Sequence, residues 1–244
     1  MYLKSIQASI FKSLFEVLKD IINDVNIYFD ELGMRLIAFD IARVTLVHVT
    51  MDAENFEEYS CKNPSVVGVN IGNLFRLIKS IGSNDVITME VSDEVLCITV
   101  QNESKKTKSK FNIKLLDLNE DELELPDMPM TYQTNISSID FQKLIRDMSN
   151  IGSHMTIERK DSYIKFICKG DYAEQETIIQ QTENVTEPSI GVFNVKYLSM
   201  FTKGTILCPI VQILQNPSDT SPIIFKYSVA NLGEIKFYLA PSCS

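Results

Sequence analysis

The chain contains Gly68-Val-Asn-Ile-Gly-Asn-Leu-Phe-Arg-Leu-Ile-Lys79, and it contains a related stretch, Gly191-Val-Phe-Asn-Val-Lys-Tyr-Leu-Ser-Met-Phe-Thr202. Each stretch opens on Gly-Val in an extended apolar segment and continues with apolar residues at helical spacing, which predicts a strand that leads into a helix. The repeats begin about 125 residues apart in a chain of 244 residues. The sequence therefore predicts two copies of one domain.

The elements around these two stretches repeat in the same order. Four segments have the i, i+3, i+4, i+7 apolar spacing of an amphipathic helix. Most other segments are short runs of β-branched and aromatic residues between turns, which is typical of antiparallel strands. The prediction is an α+β fold of two similar domains, each with antiparallel sheets and two helices. The predicted helices are Ser9–Asp20, Gly72–Ser80, Ser138–Ser149 and Val195–Thr202.

An acidic segment with two prolines, Asn119–Met130, lies between the two copies. Proline interrupts both helices and central strands, so this segment is predicted to be an exposed connection between domains. The domain bounds that follow are residues 1–117 for the N-terminal domain, 118–132 for the linker and 133–244 for the C-terminal domain. The apolar Leu123 and Leu125 within the linker are expected to fold back onto the protein surface.

Composition excludes several classes of function. With 2 histidines and 5 scattered cysteines, the chain is not expected to bind a metal, and free thiols are the simplest interpretation. No apolar run approaches the roughly 18 residues that span a bilayer. No glycine-rich phosphate loop and no nucleophile with a nearby histidine is present, so we expect neither enzymatic activity nor a cofactor.

The positive charges are concentrated in the predicted helices. The chain has a formal net charge of −9, which by itself disfavours binding to phosphate. The helical segments together with Lys203 carry about +4, so the rest of the chain carries about −13. Paired cations three or seven residues apart share one helix face, and without aromatic stacking residues this pattern favours sequence-independent contact with duplex DNA. The predicted DNA-binding residues are Lys12, Lys19, Arg76, Lys79, Lys143, Arg146, Lys196 and Lys203.

Several stretches match one known family in order and spacing. They are Gln7–Asp20, Phe39-Asp40, Val44–Val47, Gly68–Ile71, Leu116–Leu118, Arg146–Gly152, Tyr197–Lys203 and Lys236–Pro241. Over essentially the whole chain the sequence resembles the proliferating cell nuclear antigen (PCNA) family of DNA sliding clamps. The resemblance implies a homotrimeric ring of six similar domains, with helices around a central hole that duplex DNA passes through.

The resemblance also implies how subunits join. Two charged strands, Lys108–Leu115 and Glu174–Gln180, are expected to be sheet edges that pair between copies, the first basic and the second acidic. Unpaired edges invite association, and a head-to-tail contact that closes forms a ring. The interface residues that follow are Lys108, Lys110, Phe111, Ile113, Glu174, Glu176 and Ile178.

Partner docking is a further role implied by the resemblance. Members of the family bind DNA polymerase and other client proteins that carry a short PCNA-interacting peptide. A clamp loader is a further expected partner. The matching pocket residues are Phe39, Arg43, Val44, Leu123, Leu125, Pro222, Tyr238, Ala240 and Pro241. Many relatives have Met in place of Phe39 and His in place of Arg43, so client preference is expected to differ. The expected location is the nucleus, or the replication compartment of a virus, and Lys160 matches a position that some relatives modify.

Other interpretations remain open from the sequence. Within the same fold, the chain is alternatively a checkpoint-type clamp subunit of a heterotrimer or a monomeric processivity factor. The presence of both a basic and an acidic edge strand in one chain favours self-assembly. An enzyme and a protein scaffold that does not bind DNA are rival classes, and the basic helices disfavour the scaffold.

Overall fold

The computed structural model describes residues 1–92, 94–118, 123, 125, 128, 130–217 and 220–242. Within these residues the α-helices are α1 Ala8–Leu18, α2 Ile71–Ile78, α3 Ser138–Ser149 and α4 Val195–Phe201, and the 3₁₀ segments are Ala53–Asn55 and Thr202–Ile206. The strands are β1 Tyr2–Ser5, β2 Asp24–Asp30, β3 Gly33–Phe39, β4 Thr45–Asp52, β5 Glu58–Ser60, β6 Ser65–Asn70, β7 Val86–Ser92, β8 Val95–Asn102, β9 Thr107–Lys114, β10 Tyr132–Ser137, β11 His154–Lys160, β12 Tyr163–Lys169, β13 Glu174–Gln180, β14 Ser189–Asn194, β15 Ile210–Gln215, β16 Ile223–Val229 and β17 Gly233–Leu239.

The chain divides into two compact units of the same design. The first comprises Met1–Ile41, Val47–Glu124 and Ser228–Ile235, and the second comprises Ala42–Leu46, Leu125–Tyr227 and Lys236–Ser244. The first unit contains a sheet of order β5-β1-β7-β8-β9 and the neighbouring strands β3-β2-β6. The second contains a sheet of order β13-β12-β11-β14 and the neighbouring strands β10-β15-β16. Helices α1 and α2 pack together in the first unit, as α3 and α4 do in the second. The predicted fold, two similar domains of antiparallel sheets with two helices each, is confirmed.

Three of the helices begin at a side chain that caps their backbone. Ser137 accepts a hydrogen bond from the Asp140 N–H at 3.4 Å, and Asn70 accepts one from the Asn73 N–H at 2.9 Å. Asn194 caps α4 in the same way. Such caps satisfy backbone donors that the first helical turn leaves without partners. They explain why strand and helix meet without an intervening loop in both repeats.

The helices end slightly earlier than the apolar spacing predicted. Lys19 and Lys79 stand at the C-caps of α1 and α2, just after the last buried residue of each helix. Lys203 lies beyond α4, in the 3₁₀ segment that follows it. Leu18, Ile78 and Phe201, the last residues of these three helices, are all buried, and the predicted ends lie one or two residues further along the chain. Helix α3 has the predicted bounds, Ser138–Ser149.

Each unit has its own apolar core. In the first unit α1 buries Phe11, Leu14, Phe15 and Leu18, the four residues that the spacing placed on one face. The core of the second unit is a stack of aromatic rings. Phe141 lies 5.3 Å from Phe225 and Phe201 lies 4.7 Å from Phe237, measured between ring centroids. Offset aromatic pairs at such distances add stability beyond the area that they bury.

The turn between β2 and β3 depends on glycine. Gly33 has φ of +138°, which L side chains rarely adopt, and an added Cβ would lie 2.0 Å from the Met51 carbonyl oxygen. The corresponding turn of the second unit, between β11 and β12, instead uses Asp161 with φ of +47°. The two units therefore share the hairpin while using different residues to turn it.

Four strands were not predicted from the sequence, namely β1, β5, β10 and β15. They are short and mix polar with apolar residues, so neither their length nor their composition stands out. Their pairing partners lie far away in sequence, as when Leu3 pairs with Met89, and single-sequence patterns carry no record of such pairing. Among the described residues, no helix has the length and apolar character of a membrane span.

A buried tyrosine gives a test of the second core. Tyr227 is fully buried, and its Oη forms no hydrogen bond with the described residues. Burial raises the pKa of the Tyr227 phenol. We expect Tyr227→Phe to increase the free energy of unfolding by about 1 kcal/mol, because it removes a desolvated hydroxyl and keeps the ring. Urea unfolding followed by circular dichroism measures the change.

Tyr59 provides the matched control of opposite sign. Its Oη lies 2.6 Å from the Asp30 carbonyl oxygen and 2.7 Å from that of Gly33, to which it donates. Tyr59→Phe is expected to lower the free energy of unfolding by about 1 kcal/mol, because these buried carbonyls lose a donor. A loss of stability of the same size in both variants would contradict the assignment of Tyr227.

Candidate nucleic-acid interface and subunit edges

The helix cations of the first unit differ in exposure. Lys12 is half-buried, and its Nζ donates a hydrogen bond to the Ile81 carbonyl oxygen at 3.1 Å. Lys19 forms an ion pair with Asp20 at 3.0 Å and lies 5.5 Å from the Phe75 ring centroid. These two lysines therefore do not form the exposed stripe that their spacing predicted for α1, because the packing of α1 beside α2 engages both of them.

Helix α2 carries the exposed cations of the first unit. Arg76 and Lys79 are both exposed. Arg76 donates a hydrogen bond from Nη1 to the Asn73 Oδ1 at 3.2 Å, a contact within one helical turn. A surface contact of this kind is weak, so the guanidinium remains accessible to a phosphate.

All four predicted cations of the second unit are exposed. Lys143 and Arg146 lie on α3, and the Arg146 side chain is 69% exposed, with its Nε 3.9 Å from a carboxylate oxygen of Asp147. Lys196 is the second residue of α4, and its Nζ lies 6.0 Å from the Tyr197 ring centroid, while Lys203 follows in the 3₁₀ segment. The packed pair α3 and α4 thus presents cations to solvent while burying Leu144, Leu198 and other apolar residues.

Strand β9 is an edge strand with two different faces. It ends the five-stranded sheet and pairs only with β8 there. Phe111 and Ile113 lie opposite the buried Ile98 and Leu96, so they point towards the core and are half-buried. The alternate residues, which include Lys108, Lys110 and Lys114, are exposed on the outer face.

Strand β13 is the corresponding edge of the second unit. It ends the four-stranded sheet and pairs with β12. Glu174, Glu176 and Ile178 are exposed on its outer face, and Ile178 is 49% exposed. The structure therefore places both predicted interface strands at sheet edges, with their charged residues accessible.

The acidic residues of β13 are already engaged within the chain. Glu174 pairs with Lys169 at 3.0 Å, and Lys165 lies 3.3 Å from Glu158 and 3.9 Å from Glu176. The hydrogen bond to Glu158 raises the pKa of Lys165. The residues of β13 alone predict an acidic edge, whereas Lys165 and Lys169 of β12 partly neutralise it, so charge attraction between the two edges is weaker than the composition of β13 indicates.

The predicted peptide-pocket residues are divided between the units. Phe39 and Leu123 belong to the first unit and are 42% and 36% exposed. The second unit contains Arg43, Val44, Leu125, Pro222, Tyr238, Ala240 and Pro241. Within it, the Ala240 N–H donates to the Val44 carbonyl oxygen at 3.2 Å, which brings two of the predicted residues together.

Other residues of the predicted linker are only partly described. Residues 119–122, 124, 126–127 and 129 lie outside the described part of the chain. Leu125 is half-buried, as is Tyr238. Arg43, one of the predicted pocket residues, has a backbone φ of +55°. Lys160, which the family resemblance singled out, is exposed at the end of β11.

A cavity beside β9 was not predicted from the sequence. Its volume is about 250 Å³, and its walls come from the end of α2, the loop after it, β8 and β9. At its polar end the Gly82 N–H donates to Asp85 at 2.8 Å, and this bond lowers the pKa of the Asp85 carboxyl. The sequence predicts β9 only as a basic edge strand, and the loop that completes the cavity has no recognisable pattern.

Metal and disulfide chemistry find no support in the described residues. No group of three histidine, cysteine, aspartate or glutamate side chains in that part of the chain is placed to hold a metal ion. Cys61, Cys97, Cys168 and Cys208 are unpaired thiols there, and burial raises the pKa of Cys168.

Comparisons with known proteins agree with this architecture. The family model described as proliferating cell nuclear antigen, N-terminal domain, matches residues 1–123, and the model described as proliferating cell nuclear antigen, C-terminal domain, matches residues 124–242. A relative named probable DNA polymerase sliding clamp 1, from Paramecium bursaria Chlorella virus 1, is 36% identical, with 100% of this chain and 97% of the relative covered. Two consecutive matches that together span the chain account for both repeats, and the chain belongs to the proliferating cell nuclear antigen family of DNA sliding clamps.

Proposed function

We propose that three copies of this chain close into a ring around duplex DNA and tether a DNA polymerase to its template. The observation that supports this most directly is the placement of exposed cations on the helices of a chain whose net charge is −9. Six of the eight predicted contact residues are exposed there, namely Arg76, Lys79, Lys143, Arg146, Lys196 and Lys203.

The chemistry of these cations suits a protein that moves along DNA. Lysine and arginine contacts to phosphate are independent of base sequence, and their strength falls steeply with salt. A ring stays on DNA because it encircles the duplex. Its individual contacts with phosphate can therefore be weak enough to break and reform. The acidic remainder of the chain repels phosphate and disfavours binding of DNA outside the hole.

The ring is closed by the two edge strands. We propose that β9 of one copy adds to β13 of the next, and that the interface includes Lys108, Lys110, Phe111 and Ile113 of β9 and Glu174, Glu176 and Ile178 of β13. The contact is head-to-tail, and three such contacts close a ring. The same pairing removes two exposed sheet edges that would otherwise invite aggregation.

Docking of clients extends the proposal. A PCNA-interacting peptide binds the residues Phe39, Arg43, Val44, Leu123, Leu125, Pro222, Tyr238, Ala240 and Pro241, and a clamp loader opens the ring. The chain acts without catalysis of its own, in the nucleus or in a viral replication compartment. Fluorescence anisotropy with a labelled peptide of the form Gln-x-x-aliphatic-x-x-aromatic-aromatic tests the docking, and a lack of saturable binding would remove it.

Topological binding is tested with a linear duplex that carries biotin at both ends. The chain is allowed to thread onto the DNA, streptavidin then blocks the ends, and the complex is washed in 0.5 M salt. We expect retention through the wash and release when a restriction enzyme cuts the DNA, because screening removes phosphate contacts but not encirclement. The retained protein is measured on a gel.

The order of addition supplies the control. Streptavidin added before the protein is expected to prevent retention. If the wash alone releases the protein, the chain binds by charge only, which favours the monomeric processivity factor. If retention appears only after a second, related chain is added, the heterotrimeric clamp is favoured instead.

A further inference from the structure

The cavity beside β9 opens at the proposed subunit interface. Its apolar walls include Leu77, Val100 and the half-buried Phe111, and Leu77 is 38% exposed. Thr107 and Ser109, which also line it, are exposed residues of the edge strand. At about 250 Å³ it is far larger than the roughly 30 Å³ that one water occupies in the liquid. An apolar side chain from outside the domain would bury these walls.

Strand β13 presents one apolar residue, Ile179, on its inward face near its C-terminal end. Gln175, Thr177 and Ile179 alternate with the exposed residues and lie opposite Cys168, Phe166 and Ile164, all three of which are buried. Ile179 is half-buried because its strand has no neighbour on the far side within its own sheet.

Side-chain parity decides which faces meet when the two edges pair. Residues directly opposite in adjacent strands share a face of the sheet. A shift of the register by one residue would therefore pair the outward residues of one strand with the inward residues of the other. Keeping Lys110 beside Glu176 on the outer face puts the inward residues of β13 beside Thr107, Ser109 and Phe111. Charge complementarity therefore selects the parity that brings Ile179 to the inner face.

Strand direction decides which end of β9 receives Ile179. The strand pairs of both sheets are antiparallel, and antiparallel pairs are the commoner kind overall. In an antiparallel addition the C-terminal half of β13 meets the N-terminal half of β9, which is the half that lines the cavity. A parallel addition would instead put Ile179 beside Ile113.

We propose that Ile179 of one copy fills the cavity lined by Leu77, Val100 and Phe111 of the next copy. This inference rests on the proposed ring and adds an apolar anchor to it, on the face opposite the charged residues. It also separates two neighbours in sequence, because Ile178 stays on the outer face of the joined sheet while Ile179 becomes buried.

Disulfide trapping tests the contact. A chain with Ser109→Cys and Ile179→Cys, and a second with Thr107→Cys and Ile179→Cys, cover the two registers that place Ile179 at the cavity. Opposite residues of antiparallel strands lie about 4.5–5.5 Å apart at Cα, within the range that a disulfide spans. We expect at least one of these chains to give a covalent trimer on mild oxidation, seen on a non-reducing gel, whereas the parent chain gives none.

The matched control moves one cysteine by a single residue. Ser109→Cys with Ile178→Cys is expected to remain uncrosslinked, because the two thiols lie on opposite faces. Crosslinking in this control but not through Ile179→Cys would overturn the proposal, and so would crosslinking of Ile179→Cys only to Ile113→Cys, or a lack of any crosslink through Ile179→Cys.

A mass measurement on the same proteins separates this inference from the ring itself. A mass of 27.7 kDa at every concentration by light scattering would contradict both the ring and the cavity contact. A mass of 83.1 kDa, which is three copies of 27.7 kDa, together with the wrong crosslink would contradict only the cavity contact. Ile179→Ala adds a second readout. It is expected to raise the trimer dissociation concentration at least about tenfold through loss of buried apolar area. Ile190→Ala, at an isoleucine of β14 that is as exposed as Ile178 and lies at the other end of the same sheet, should change it by less than about threefold; equal effects would contradict the assignment.

Discussion

A chain that carries Lys108→Glu and Lys110→Glu is expected to have a solution mass of 27.7 kDa, in place of the 83.1 kDa of three copies. The two substitutions turn the basic edge of β9 acidic, so that it faces Glu174 and Glu176 of the next copy. Juxtaposed like charges at an interface cost several kcal/mol. The dissociation concentration should therefore rise by about 100-fold or more. Light scattering across a dilution series measures it.

Reciprocal substitutions make this prediction specific. Glu174→Lys with Glu176→Lys should dissociate the ring in the same way, and all four substitutions in one chain should restore 83.1 kDa, because the signs are again opposite. The control pair, Lys62→Glu with Lys160→Glu, changes charge equally at exposed residues away from both edges. Failure of the fourfold exchange to restore assembly, with each chain folded by circular dichroism, would contradict charge pairing between β9 and β13.

The second large effect concerns DNA. Lys143→Glu with Arg146→Glu is expected to reduce the affinity for duplex DNA at low salt by about 100-fold or more, because every copy loses two exposed cations and gains two anions. Fluorescence anisotropy with a labelled duplex, at 50 and 200 mM salt, measures the change. The slope of log affinity against log salt should fall by about 0.9 for each phosphate that the variant no longer neutralises.

The same two exposed lysines serve as controls here. Lys62→Glu with Lys160→Glu alters the net charge of the chain by the same amount without touching the helices, so it should change affinity by less than about threefold. The mass of the α3 variant should remain 83.1 kDa, which separates weaker DNA binding from dissociation of the ring. An equal decrease of affinity in both pairs of variants would mean that net charge, and not the helix surface, governs binding.

Sequence reasoning succeeded where a single element carries its own signal. The bounds of α3 followed from four apolar residues at helical spacing, and the structure has the same bounds. The hairpins β2–β3 and β11–β12 were equally accessible, because alternation and turn residues are local features. The family followed from the order of these features along the chain.

Sequence reasoning failed where a residue's role depends on a contact with a residue that is distant in sequence. Lys12 was placed on an exposed stripe by spacing alone, but its Nζ reaches the Ile81 carbonyl oxygen just beyond the other helix of the pair. Glu176 was taken as a plain acid, although Lys165 on the neighbouring strand lies 3.9 Å away. The periodicity of an element's sequence does not reveal which side chains of other elements it contacts. The fold could therefore be predicted from the sequence, whereas the contacts at the candidate site could not.

The unequal exposure of the helix cations shapes how DNA would move through the ring. The first unit exposes two of its four helix cations, Arg76 and Lys79, and holds Lys12 and Lys19 half-buried, whereas the second unit exposes all four of its own. If three such chains form the proposed ring, each copy contributes one unit with four exposed helix cations and one with two. A Debye length of about 8 Å keeps the fields of neighbouring units distinct. We infer that a duplex in such a ring would rest preferentially against the three units with more exposed cations.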